Sequence, residues 1–147
     1  MNLSVLRLPH AKDLPMPSYA TEGSAALDLL AAIDGDIVLK PSERAAIPCG
    51  IAVAFSDKYE GQVRARSGLA LNHGITLLNA PGLIDPNYRG EIRVVVHNAG
   101  DEPFTIAKGD RIAQLLLVPF TAPQIEVVAE LTETERGAAG FGSSGVL

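Results

Sequence analysis

The residues of this chain that could do chemistry fall in a few separate stretches, and the first of them surrounds one carboxylate. In Gly82-Leu83-Ile84-Asp85-Pro86-Asn87-Tyr88-Arg89-Gly90-Glu91-Ile92, two apolar residues run into the turn former Asp-Pro-Asn, and the chain re-emerges through Gly90 into the alternating Glu91 to His97. The pattern predicts a β-hairpin with Asp85 and Tyr88 at its tip, although an ordinary turn accounts for the same three residues. Arg66-Ser67-Gly68 ends a strand-like run where a short helix can start. There a guanidinium, a hydroxyl and free N–H groups would converge as an anion site, or Ser67 would simply cap the helix beside a surface arginine. Asp28 interrupts the apolar run Ala25 to Leu30, and a carboxylate in such a place needs a cationic partner or a metal. Gln114 is likewise polar among branched apolar residues, and a hydrogen bond within a sheet would explain it.

The elements that must position these groups are short strands. Turn chemistry recurs every eight to twelve residues, at Asp34-Gly35-Asp36, Lys40-Pro41-Ser42, Ser56-Asp57-Lys58, Asn72-His73-Gly74, Asn98-Ala99-Gly100, Lys108-Gly109-Asp110 and Thr121-Ala122-Pro123. The runs between them, from Leu3 to Leu8 through Arg111 to Phe120 and Ile125 to Val128, predict an all-β, single-domain, jelly-roll-like β-sandwich. One short helix is expected, over Ser67 to Asn72. The domain should extend over residues 1–135, followed by a Gly-rich tail over 136–147. Gly140-Phe141-Gly142-Ser143-Ser144-Gly145 matches the G-x-G-x-x-G pattern literally. It lacks the following helix that a dinucleotide fold requires, because only two residues remain. Its glycines can still turn N–H groups toward phosphates, and Phe141 would have a use in stacking on a base.

Composition narrows the partners. A chain of 147 residues with 47% hydrophobic and 20% charged residues can bury one sizeable core. Its formal charge of -5 supplies no basic stripe for a nucleic-acid backbone, yet a few arginines and a metal ion could still hold a small polyanion. Near the N-terminus Arg7, His10, Lys12 and Asp13 interrupt any apolar run, so neither a signal peptide nor a membrane span is expected, and a cytoplasmic setting is. The lone cysteine, Cys49, reads as a small core residue. His10, His73 and His97 lack metal-ligand spacing and read as structural.

Five ordered segments together resemble the motifs of the trimeric deoxyuridine triphosphatases (dUTP nucleotidohydrolases): Ala25 to Leu30, Arg64 to Ala70, Asn79 to Glu91, Gly109 to Gln114, and Arg136 to Gly145. The resemblance implies hydrolysis of dUTP at the α-phosphorus to dUMP and pyrophosphate, which keeps uracil out of DNA and supplies dUMP for thymidylate. It makes Asp85 the carboxylate that deprotonates the attacking water. Asn79, Gly82, Ile84 and Tyr88 become the nucleoside site, with Asn79 and strand backbone on the uracil edge, Tyr88 against the deoxyribose and Phe141 stacked over the base. Arg66, Ser67, Gly68, Gln114, Arg136, Ser143 and Arg93 become phosphate ligands. Magnesium is implied as Mg²⁺ held mainly by the substrate phosphates, with Asp28 reaching it through water. The family's homotrimer shares its sites, the tail of one subunit closing over a neighbour. Ala26, where many members have glycine, and Pro86-Asn87 depart from the common pattern. A dCTP deaminase, alone or bifunctional, shares the fold and an Ile-Asp-Pro-like segment, but needs an additional glutamate and usually has phenylalanine where Tyr88 stands, and the aromatic tail and the segment Arg66 to Ala70 favour the triphosphatase. A non-catalytic jelly roll that binds a nucleotide or a partner is the other alternative; loss of Asp85 or of the tail would favour it, and neither is lost.

Overall fold

The computed structural model describes residues 2–140. Short alternating runs make eleven strands: β1 (Ser4–Arg7), β2 (Leu27–Leu30), β3 (Ile37–Leu39), β4 (Arg44–Pro48), β5 (Ile51–Ala54), β6 (Tyr59–Arg64), β7 (Ile75–Leu77), β8 (Gly82–Ile84), β9 (Arg93–Asn98), β10 (Phe104–Ile106) and β11 (Arg111–Pro119). One helix, α1 (Ser67–His73), follows β6, and a 3-10 turn spans Pro9–Ala11. Gly74 stops α1 in the left-handed region at φ 66° and returns its N–H to the carbonyls of Ala70 and Leu69.

The strands form antiparallel sheets in the orders β2-β11-β6-β8 and β4-β9-β7, with β1 paired to β5 and β3 to β10. Period-two patterning drives this arrangement. In β9, Val94, Val96 and Asn98 are buried while Arg93 faces out. Leu29, Val63 and Leu115 from the first sheet meet Ile47, Ile75, Val94 and Val96 from the second, and Val53 and Ile106 join them in one core. Asn98, fully buried, is satisfied by donating to the carbonyls of Leu39 and Glu102 and accepting from the Gly100 N–H. The all-β jelly roll with one short helix is therefore the fold, and among the described residues no helix is long and apolar enough to cross a membrane.

Two expectations are corrected. The segment from Gly82 to Ile92 is not a hairpin, because β8 pairs with β6 while β9 pairs with β4 and β7. The Asp85 turn itself forms, with the Tyr88 N–H on the Asp85 carbonyl at 3.1 Å, but the chain uses it to leave one sheet for another. Alternation in Glu91 to His97 reported a strand and was silent about its partner. Ile125 to Val128 forms no strand, and Ile125 and Val127 are 89% and 94% exposed. An apolar run needs a neighbouring strand edge, and this chain supplies none there.

Candidate active site

Asp28 sits in the middle of β2, opposite Gln114 of β11, and is 8% exposed. Three groups surround its carboxylate at 3.4 Å: the Arg66 Nε, the Arg111 Nη1 and the Gln114 Nε2. Arg66 leaves β6 just before α1 and also donates from Nη1 to the Arg111 carbonyl at 2.9 Å, tying the start of the helix to β11. A carboxylate so enclosed is tolerable because cations face it from two sides. The sequence reading omitted Arg111. On an ideal strand, residues three apart project to opposite faces, which would separate Arg111 from Gln114. A β-bulge between Arg111 and Ala113 shifts the register and brings both to Asp28.

Ser67 is the first residue of α1 rather than its cap, and Arg66 caps the helix with extended backbone and no side-chain bond. The leading N–H groups of a helix have no partner within it, so those of Ser67 and Gly68 are available to an anion. A Cβ at Gly68 would meet nothing within 4 Å. Beside this end of α1, Arg66, Leu69, His73, Phe104, Asp110 and Arg111 line an open cleft of about 250 Å³.

Asp85 is exposed on its turn and, among the described residues, its carboxylate makes no hydrogen bond or ion pair. The turn is braced by Arg89, whose Nη1 donates to the carbonyls of Pro86 at 2.7 Å and Tyr88 at 2.8 Å. Tyr88 folds back over Gly90 and donates its hydroxyl to the Glu91 carbonyl at 3.0 Å. Gly90 is required by that approach, since a Cβ there would run into the tyrosine oxygen and ring. Gly82 is buried against Val63, with the Asn79 amide 3.5 Å from where its Cβ would be, so Asn79, Gly82 and Ile84 follow one edge of the sheet toward Asp85.

These two groups of residues are not brought together within one chain. Ile84 pairs with Gly61 of β6, whereas Gln114 pairs with Arg64. At ~3.3 Å per residue and ~4.8 Å per strand, Asp85 lies on the order of 15 Å from Gln114. Arg93 lies on the other sheet, where its Nη2 donates to the Ala46 carbonyl at 3.2 Å. Arg136 donates from Nε to the Ala139 carbonyl at 2.9 Å. Phe141 and Ser143 lie outside the described residues.

The three histidines and the cysteine have structural surroundings. His10 pairs with Glu91, His97 bonds the Glu43 carbonyl, and His73 packs at 5.2 Å from the Phe104 ring. The Cys49 thiol is pushed up to about 12 by burial first and by the Glu91 carboxylate second. Among the described residues, no group of three or more His, Cys, Asp and Glu could hold a metal ion.

The chain is thus a β-sandwich that gathers two arginines and a glutamine around one enclosed carboxylate and carries a second, exposed carboxylate on a turn. The dUTPase family model matches residues 12–145. Deoxyuridine 5'-triphosphate nucleotidohydrolase of Caldanaerobacter subterraneus subsp. tengcongensis is 50% identical over 144 residues, covering 98% of this chain and 97% of that protein. That of Anaplasma marginale is 50% identical over 145 residues, covering 99% of each. The solved structure of Staphylococcus bacteriophage 80alpha dUTPase with dUPNHPP superposes with a TM-score of 0.86 at 29% identity, covering 99% of both chains. The chain belongs to the dUTPase family.

Proposed function

We propose that this chain hydrolyses dUTP to dUMP and pyrophosphate by a water that Asp85 deprotonates, at a site assembled from more than one subunit. The observation that carries the reading is Asp85 itself, an unpaired carboxylate on a braced turn, in a chain about half identical along its length to named dUTP nucleotidohydrolases. An exposed carboxylate that forms no ion pair among the described residues is free to take a proton from water aimed at phosphorus. Asn79 and the backbone from Gly82 to Ile84 bind the uracil edge, and the Tyr88 ring packs on the deoxyribose where a 2′-hydroxyl would collide. Arg66, Ser67, Gly68 and Gln114 hold the phosphates, joined by Arg111, with Arg136 and Ser143 on the tail and Arg93 in a lesser role. Phe141 stacks on the base.

The ~15 Å between Asp85 and Gln114 supports sites shared in a homotrimer. So does the exposed apolar segment around Ile125, Val127 and Leu131, which one chain leaves bare. The division into a jelly-roll domain over 1–135 and a closing arm over 136–147 belongs to the same reading. Magnesium fits these residues only as an ion carried by the triphosphate, because Asp28 is engaged by two arginines and, among the described residues, no group of three or more His, Cys, Asp and Glu could hold a metal. Bound there, it would neutralise charge on the phosphate oxygens, with Asp28 reaching it through water. A cytoplasmic role in nucleotide metabolism accords with the substrate, and neither nucleic acid nor membrane is a partner.

Product analysis with Mg²⁺ and, in parallel, dUTP, dCTP, dTTP and UTP tests the assignment. The expected outcome is monophosphate and pyrophosphate from dUTP alone. Ammonia from dCTP would move the protein to the deaminase branch.

A further inference from the structure

The loop from Asp85 to Ile92 leaves β8 through a turn and must return to the other sheet at a defined place. Its return is anchored by Glu91 and Ile92. The Ile92 N–H donates to the Ile51 carbonyl at 2.9 Å, and its carbonyl accepts from the Cys49 N–H at 2.9 Å. One oxygen of the Glu91 carboxylate accepts the Gly50 N–H at 2.8 Å and stands 2.8 Å from the His10 Nε2. Gly50 holds φ at +67°, and a Cβ there would run into the Ala11 and Ala32 side chains. The N–H aimed at Glu91 is therefore offered by a backbone with little freedom to move. Glu91 thus ties three segments: the 3-10 turn with His10, the β4–β5 turn with Gly50, and the catalytic loop.

The backbone carbonyl of this same residue accepts the Tyr88 hydroxyl at 3.0 Å. The ring has no Cβ beneath it at Gly90 to fix its tilt, so that hydrogen bond sets where the ring lies. We propose that Glu91 is a positioning residue for Tyr88, and through it for discrimination between deoxyribonucleotide and ribonucleotide. The inference rests on the reading that Tyr88 packs on the deoxyribose. When the Glu91 side chain holds the Gly50 N–H, its carbonyl is held as well, and the ring stays where a 2′-hydroxyl cannot fit. When it does not, only the Ile92 N–H bond to Ile51 holds that peptide, the carbonyl tilts about it and the ring yields.

The test measures pyrophosphate release from dUTP and UTP by the full-length protein and by Glu91→Ala, Glu91→Gln, Tyr88→Phe and Tyr88→Ala, comparing the ratio of kcat/KM for the two nucleotides. Glu91→Ala should lower the dUTP preference about tenfold, the scale on which a pocket loses a single steric contact. Glu91→Gln keeps an oxygen for the Gly50 N–H and should restore the wild-type ratio. Tyr88→Phe removes the hydroxyl at an exposed ring and should shift the ratio in the same direction as Glu91→Ala. An unchanged ratio in Glu91→Ala, or equal losses on both substrates, alongside a lowered ratio in Tyr88→Ala, overturns the positioning role and leaves the deoxyribose reading standing. An unchanged ratio in Tyr88→Ala overturns that reading and the inference with it. Should Glu91→Ala fail to fold, an unchanged ratio in Tyr88→Phe is sufficient to overturn it.

Discussion

The two carboxylates of this molecule are held in opposite ways. Asp28 lies on the end strand of a four-stranded sheet, opposite Gln114 and flanked by two arginines, so the ladder with β11 determines its place. Asp85 stands on a turn between sheets, where Arg89, Tyr88 and Glu91 do with side chains what a ladder would otherwise do. Charge follows the same division. The enclosed carboxylate is neutralised and suited to organising cations, while the exposed one is unpaired and suited to moving a proton. On the proposed mechanism the carboxylate that takes the proton is better left unpaired, and Asp85 accordingly stands apart from the arginines around Asp28.

Exchanging the base tests this division most strongly. Asp85→Asn should lower kcat by about 10³-fold while dUTP still binds, because general-base catalysis contributes on that scale and the turn keeps its shape. Single-turnover kinetics beside equilibrium binding would reveal it, and undiminished turnover would refute the assignment. On the cluster side, Arg66→Ala should cost about 10²-fold in kcat/KM, as loss of one charged phosphate donor does. Arg66→Lys should recover little, since a lysine cannot face both Asp28 and the Arg111 carbonyl. Gly90→Ala should lower turnover roughly tenfold with an almost unchanged melting temperature, because the added methyl displaces the Tyr88 ring at an exposed site. An intact rate would show that the ring has room to spare.

The smallest effect concerns stability at high pH. In the unfolded chain the Cys49 thiol ionises near 9.0, whereas in the folded protein burial holds it neutral to about 12. The unfolded state therefore loses its proton first. Stability from this group is intact below pH 9 and declines as pH rises toward 12. Thermal melts across that range should show a decline that Cys49→Ala flattens, and identical slopes would exclude the thiol as its source.

Much of the candidate site was legible because its chemistry contradicts its surroundings. Asp28 and Gln114 are polar within apolar runs, and Asp85 marks a turn, so each announces a constraint without reference to any distant residue. Arg111 was hidden for the complementary reason. Period-two counting places it on the face opposite Gln114, and only a bulge, which depends on pairing with β2, reverses that. Nothing local singled out Arg89 or Glu91, since their partners are backbone groups of the turn itself and groups at Gly50 and His10 far away in the sequence.

By itself the sequence determined the elements, the all-β class and the residue types of the site, because strand alternation, turn chemistry and helix stops are local consequences of steric and hydrophobic pattern. Tertiary structure alone decided which strands are neighbours. It made the Asp85 turn a passage between sheets instead of a hairpin, and it left Ile125 to Val128 without a partner. Pairing is a choice among edges that are equivalent locally, and it is settled by which arrangement lets Leu29, Ile47, Val94 and Leu115 share one core.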